Sequence, residues 1–174
     1  SQKPKVKSQK VIWDPILKAS AGFEIHKTID KKKVTNICKN IYLITPNIEE
    51  IRILIGEQDE IKAAKDLSKY CNVFLKGGHV KSKIIPIDIG SQKSKGNNPI
   101  LGKDYLFTTD GKIFPYKAKK ISETGKHGSG CVLSSSITAN LANGSDLQRA
   151  CLKGKDYVTR FLMSNKTLMG YHKI

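Results

Sequence analysis

The sequence predicts an α/β fold: a mostly parallel sheet covered by helices, with an antiparallel hairpin near its middle. Three observations carry this. Short apolar runs at 11–13, 41–44 and 72–76 alternate with longer stretches of helical periodicity, the order that builds parallel sheets. Each run ends in polar residues, Asp14, then Thr45 and Asn47, then Lys76, and in such sheets ligands sit beyond the carboxyl ends of the strands. Finally, Asp110-Gly111, a pair favoured in tight hairpin turns, separates two strand-like runs at 104–109 and 112–117.

The elements follow in order. Residues 1–10 are lysine-rich and read as a flexible lead-in. Val11-Ile-Trp13 is a buried strand closed by Asp14-Pro15, since proline disfavours helix at the residue before it. After a loop at 18–22, helical spacing through Ile29, Val34, Ile37 and Cys38 predicts a helix over 28–39, and Ile41–Ile44 a second strand. Asn47 is placed to cap a helix whose stripe is Ile48, Ile51, Leu54 and Ile55. A further helix spans about 58–70, with Ile61, Ala64 and Leu67 inward and Ala63 at the margin of that face, and 72–76 forms the third strand.

From 80 to 103 the pattern weakens to a short strand at 84–89 and a polar loop at 91–99. Pro115 marks the second hairpin strand as an edge. Leu133, Ile137 and Leu141 define a helix beginning near Cys131 and stopped by Asn143-Gly144. Ser145-x-x-Gln148 reads as a capping box for a last helix with Leu147, Ala150, Cys151, Gly154, Val158, Phe161 and Leu162 inward.

Composition narrows the function. The net charge is +16, which raises a nucleic-acid partner as one reading. Against it, arginine occurs only at 52, 149 and 160, the lysines are spread through every segment, and no aromatic platform interleaves them. Cys38, Cys71, Cys131 and Cys151 are far apart without a Cys-x-x-Cys pair, which argues for reduced thiols over a zinc site or disulfide framework. No apolar run approaches the roughly 20 residues a spanning helix needs, and the start lacks the apolar core of a signal peptide. The expectation is a cytoplasmic protein without a membrane or specific nucleic-acid partner.

The chemistry is expected at Lys126-His-Gly-Ser-Gly-Cys131. Gly128 and Gly130 allow backbone N–H groups to approach a ligand, and the helix that follows presents unpaired N–H groups and its positive dipole end, a site suited to phosphate. Cys131 lies on the first turn, where the dipole is expected to lower its pKa from about 8.5. The carboxylate, amide and ammonium groups at the other strand ends suit a magnesium-bound polyphosphate.

Taken together, Asp14-Pro15, Thr45-Pro-Asn-Ile-Glu-Glu50, Lys76-Gly-Gly-His79 and His127-Gly-Ser-Gly-Cys131 resemble the hydroxymethylpyrimidine and phosphomethylpyrimidine kinases of the ribokinase-like superfamily. The closing segment Ser164 to His172 also resembles the carboxyl end of a bacterial subgroup. The resemblance implies a ribokinase-like three-layer αβα sandwich that transfers the γ-phosphoryl of ATP, with Mg2+, to a hydroxymethylpyrimidine and then to its monophosphate. It implies an anion hole of Gly128, Ser129 and Gly130, with Cys131 as catalytic base. Asn47 and Glu50 match an Asn-x-x-Glu motif organising magnesium and phosphates; Asp14 is grouped with Glu50 toward the metal, and Thr45 with Asn47 toward the nucleotide. Lys76 matches a lysine on ATP phosphates, and Ser129 stands where threonine is commoner. A homodimer is also implied.

Family members begin with a glycine-rich strand and further helices that this sequence lacks. Residues 11–174 are therefore expected to be the C-terminal two-thirds of a kinase domain, N-terminally incomplete. A pyridoxal-type kinase of the same superfamily is the nearest rival reading.

Overall fold

In a computed structural model, the structure describes residues 9–17, 29–77, 103–117 and 126–172. The expected lead-in, the loop at 18–22, the strand at 84–89 and the loop at 91–99 lie wholly or mainly outside them.

The first half runs β1 (Ile12–Trp13), α1 (Lys31–Cys38), β2 (Leu43–Ile44), α2 (Ile48–Ile55), α3 (Glu60–Ser68) and β3 (Asn72–Leu75). The second runs β4 (Asp104–Phe107), β5 (Ile113–Tyr116), α4 (Ser129–Ala142) and α5 (Leu147–Leu162). The five strands form one sheet in the order β1-β2-β3-β4-β5. β1, β2 and β3 pair in parallel, while β3–β4 and β4–β5 are antiparallel. The described sheet thus has two parallel and two antiparallel pairings, since the expected hairpin joins it through β4 beside β3. Pro115 does lie on an edge strand, β5.

Strand alternation creates the three layers. Ile44, Val73, Leu75, Tyr105 and Phe107 face one way and pack with Val34 and Cys38 of α1, Ile51 and Leu54 of α2 and Ala63, Ala64 and Leu67 of α3. Leu43, Phe74, Leu106 and Tyr116 face the other way, onto Leu133, Ile137 and Leu141 of α4 and Ala150 and Cys151 of α5. Close approach of α4 and α5 depends on Gly154, where an added Cβ would lie 2.6 Å from Ile137 Cγ1.

Capping sets the helix starts. Asp30 caps α1, which begins later than the periodicity predicted and leaves Ile37 45% exposed. Asp59 caps α3. For α5 the cap is Asp146, whose side chain accepts from the Arg149 N–H, so the expected Ser145–Gln148 box does not form. A carboxylate accepts an amide proton more strongly than a hydroxyl does, and the helix start shifts by one residue to use it. All four cysteines are free thiols, with Cys131 exposed and the others buried. No helix among the described residues is long and apolar enough to cross a membrane.

Candidate functional site

The carboxyl ends of β1, β2 and β3 deliver Asp14, Thr45 and Lys76 side by side. An isolated parallel bridge between Asn47 and Lys76 extends the β2–β3 pairing past both strand ends, and the Lys76 N–H donates to Pro46 O at 2.8 Å. This fixes the lysine against the start of α2.

That start is a full capping box. Asn47 Oδ1 accepts from the Glu50 N–H at 2.8 Å, and Glu50 Oε2 accepts from the Asn47 N–H at 2.6 Å. The box turns the Glu50 carboxylate toward Lys76, whose Nζ lies 3.7 Å from Oε2 and 3.1 Å from Asp14 Oδ1. Burial raises the Glu50 pKa; Lys76 and the Asn47 N–H act against this, while Asp14 adds to it. Lys76 is therefore a cation held between two largely buried carboxylates.

Thr45 is fully buried, with its hydroxyl 3.0 Å from Asp14 Oδ1 and 2.8 Å from Ser134 Oγ. Its single proton goes to the carboxylate, which leaves the one Ser134 proton to be shared between Thr45 Oγ1 and the Gly130 carbonyl. Ser134 Oγ also lies 3.1 Å from Gly130 O, tying the β2 end to the first turn of α4. Sequence reasoning passed over Ser134, although it sits one turn beyond Gly130 on the same helix face as Cys131, at the i+3 and i+4 spacing that brings side chains together.

Helix α4 differs from the other helices at its N-terminus. Asp30, Asn47, Asp59 and Asp146 cap α1, α2, α3 and α5 through their side chains. α4 instead starts from Gly128, in the left-handed region at φ 75, with no side-chain cap. Its first-turn N–H groups and dipole therefore carry unneutralised positive character. Gly130 lies on this turn, close enough to Lys76 that an added Cβ would be 3.4 Å from Nζ.

Cys131 completes the corner, with one correction. Its pKa is raised, not lowered: loss of hydration is the largest cause, followed by the charge of Asp14 and a hydrogen bond to it, with Lys76 acting in the opposite sense. The dipole of α4 is outweighed by lost hydration together with a carboxylate that the sequence places 117 positions away. A cleft of about 470 Å3 opens here, lined by Asp14, Cys131 and Ser134 together with Ile12, Ile16 and Thr138.

The structure thus brings Asp14, Thr45, Asn47, Glu50, Lys76, Gly130 and Cys131 into one corner, with Gly128 and Ser129 leading into it. Gly78 and His79 of the lysine motif lie outside the described residues.

A family model described as phosphomethylpyrimidine kinase matches residues 2–173. The chain belongs to that family. Among relatives of the phosphomethylpyrimidine kinase family, the hydroxymethylpyrimidine/phosphomethylpyrimidine kinase of Aquifex aeolicus is 34% identical over 93% of this chain and 60% of its own length. That of Haemophilus influenzae is 31% identical over 86% of the chain and 53% of its own. The thiamine biosynthesis protein THI22 of Saccharomyces cerevisiae is 33% identical over 86% of the chain but 26% of its own length. The chain therefore spans at most about 60% of these relatives.

The fold matches solved kinases of the ribokinase-like type. A phosphomethylpyrimidine kinase from Clostridium difficile superposes with a TM-score of 0.61 at 23% identity, covering 87% of this chain and 56% of that one. A Staphylococcus aureus pyridoxal kinase in complex with AMP-PCP and pyridoxal gives 0.63 at 19%, covering 90% and 52%.

Proposed function

We propose that this chain carries the nucleotide-phosphate and phosphoryl-transfer side of a hydroxymethylpyrimidine/phosphomethylpyrimidine kinase, as the C-terminal two-thirds of its domain. The observation that carries it is the convergence of Lys76, held between Asp14 and Glu50, with the uncapped N-terminus of α4. A lysine and a turn of free N–H groups grip phosphate oxygens, and paired carboxylates suit a hard cation.

Asp14 and Glu50 fit a magnesium ion carried in on the nucleotide. Among the described residues no group of three or more His, Cys, Asp or Glu could hold a metal, which suits an ion ligated mainly by phosphate and water. Magnesium ATP, when bound, supplies the phosphoryl group and neutralises part of the charge that develops on it. Lys76 and the N–H groups of Ser129, Gly130 and Cys131 hold phosphate oxygens. Thr45, with no exposed surface, acts by orienting Asp14, and Asn47 by aiming Glu50. Cys131 takes the proton from the acceptor hydroxyl. Because its pKa is raised, the rate rises with pH through an alkaline limb set by this thiol.

Sequence relatives above 30% identity named for hydroxymethylpyrimidine kinases favour that acceptor over pyridoxal. A homodimer in the cytoplasm belongs to the same proposal, as does the absence of a nucleic-acid role.

Two measurements test it. Calorimetric titration with magnesium ATP reads the phosphate side: binding is expected, and is weakened at least about tenfold in Lys76→Met. Phosphorylation of hydroxymethylpyrimidine reads the rest: Cys131→Ala is expected to lower turnover by about 10²–10⁴-fold with nucleotide affinity little changed. A chain that binds no nucleotide, or a Cys131→Ala variant with full turnover, overturns the corresponding assignment.

A further inference from the structure

Lys126 is 6% exposed, and its ammonium is spent on three oxygens of one short segment. Its Nζ donates to Asn165 O at 2.9 Å, Asn165 Oδ1 at 2.6 Å and Thr167 O at 2.6 Å. A lysine has three protons, and all three are engaged. The next residue repeats the attachment: the His127 N–H donates to Leu168 O at 3.1 Å. Two consecutive residues leading into α4 are thus fastened to the segment 165–168.

That segment is itself fixed to α5. His172 stacks on Phe161 with centroids 5.0 Å apart and bonds the Tyr157 hydroxyl at 2.9 Å. Gly170 lies so close to Phe161 that a Cβ there would be 2.5 Å from its ring. Asn165 braces the turn internally, accepting from the Thr167 N–H at 2.9 Å and donating to Met169 O at 2.9 Å. A continuous set of contacts therefore runs from α5 through the closing segment to the entry of α4.

We propose that Lys126 is a positioning residue for the phosphate-binding end of α4, clamping residues 165–168 onto the two residues that lead into that helix. The helix dipole offers no other reason for it, since a cation ahead of an N-terminus has the unfavourable sign. Direct contact with phosphate is ruled out by the use of all three protons. Gly128 gives α4 no side-chain cap of its own; the Thr45–Ser134 contact holds its first turn from the sheet side, and the clamp holds the two residues that enter it. The link to turnover rests on the proposed phosphoryl-transfer role; the clamp itself does not.

Hydrogen exchange with turnover tests this in Lys126→Met, and in Asn165→Ala, which removes one acceptor and leaves two carbonyls. The Val132 N–H is the reporter, since it bonds Gly128 O at 3.0 Å. Exchange at the start of α4 and in 164–172 is expected to rise at least about tenfold in Lys126→Met, and less in Asn165→Ala, while the sheet and the middle of α5 are unchanged. Turnover is expected to fall about ten- to a hundredfold with the nucleotide KM nearly constant. Unchanged exchange at α4, or a rise spread evenly over the whole molecule, overturns the clamp. A loosened α4 with wild-type turnover overturns its functional half. If the unmutated chain transfers no phosphoryl group, the proposed function has failed instead, and exchange alone still decides the clamp.

Discussion

Replacing Lys76 by methionine keeps the bulk of the side chain and removes the charge between Asp14 and Glu50. At the observed separations of 3.1 and 3.7 Å, the gross attractions are about 5 and 4 kcal/mol for an effective dielectric constant near 20. Desolvation of the ammonium offsets most of that. The net cost is therefore the penalty of leaving charge uncompensated, about 3–5 kcal/mol for a buried pair broken from one side. Asp14 keeps the Thr45 hydroxyl and Glu50 keeps the Asn47 N–H, which places the expected loss at the lower end, about 3 kcal/mol near neutral pH.

The loss depends on pH with a definite sign. Burial already holds the Glu50 pKa above its ordinary value, and removing Lys76 takes away the largest influence that lowers it. A carboxyl whose folded pKa exceeds its unfolded one binds more protons folded than unfolded between the two, so stability falls as pH rises through that window. Below about 4.3, the unfolded glutamate value, this part of the penalty is absent; above the folded pKa it is complete. Urea denaturation of both proteins at about pH 4 and pH 7.5 is the assay, with the midpoint expected to drop by about 1–2 M at the higher pH and much less at the lower. A difference independent of pH, or below about 0.5 kcal/mol at neutrality, would refute the picture of a lysine compensating two buried carboxylates.

Gly154→Ala should destabilise the fold by about 1 kcal/mol, an overpacking cost of 1–3 kcal/mol against Ile137 partly offset by the helix propensity of alanine; combined with Ile137→Ala, the two effects should be strongly non-additive in urea melts. Asp14→Asn should move the alkylation profile of Cys131 toward lower pH by removing the nearby charge and acceptor. The other three cysteines are buried, so iodoacetamide in the native state reads Cys131, and an unmoved profile would show that Asp14 is not what holds the thiol up.

Local order was legible wherever a short-range rule decided it. The Asn47 cap of α2, the Asp110-Gly111 hairpin and the inward stripe of α5 depend on residues a few positions apart, and periodicity or turn chemistry exposes them. The Thr45–Ser134 contact and the charge of Asp14 on Cys131 join residues about ninety or more positions apart, and no local pattern encodes them. A helix dipole can be read from a dozen residues, whereas the burial and the carboxylate that act against it at Cys131 arrive only through tertiary packing. The β3–β4 pairing was equally hidden, because an antiparallel hairpin can join a sheet at either edge without changing its own sequence.

The bare start of α4 has a consequence for anyone wishing to make this protein more robust. A side-chain cap is typically worth about 1 kcal/mol, and four helices already have one, so α4 offers the most accessible gain in the molecule. Left-handed Gly128 would tolerate asparagine or aspartate better than other residues. On the proposed function, such a side chain would satisfy the very amides that a phosphate must find free, and a carboxylate would repel it. Thermostability selected without an activity screen should then accumulate at this position and yield a hardier protein with weakened hold on the proposed nucleotide.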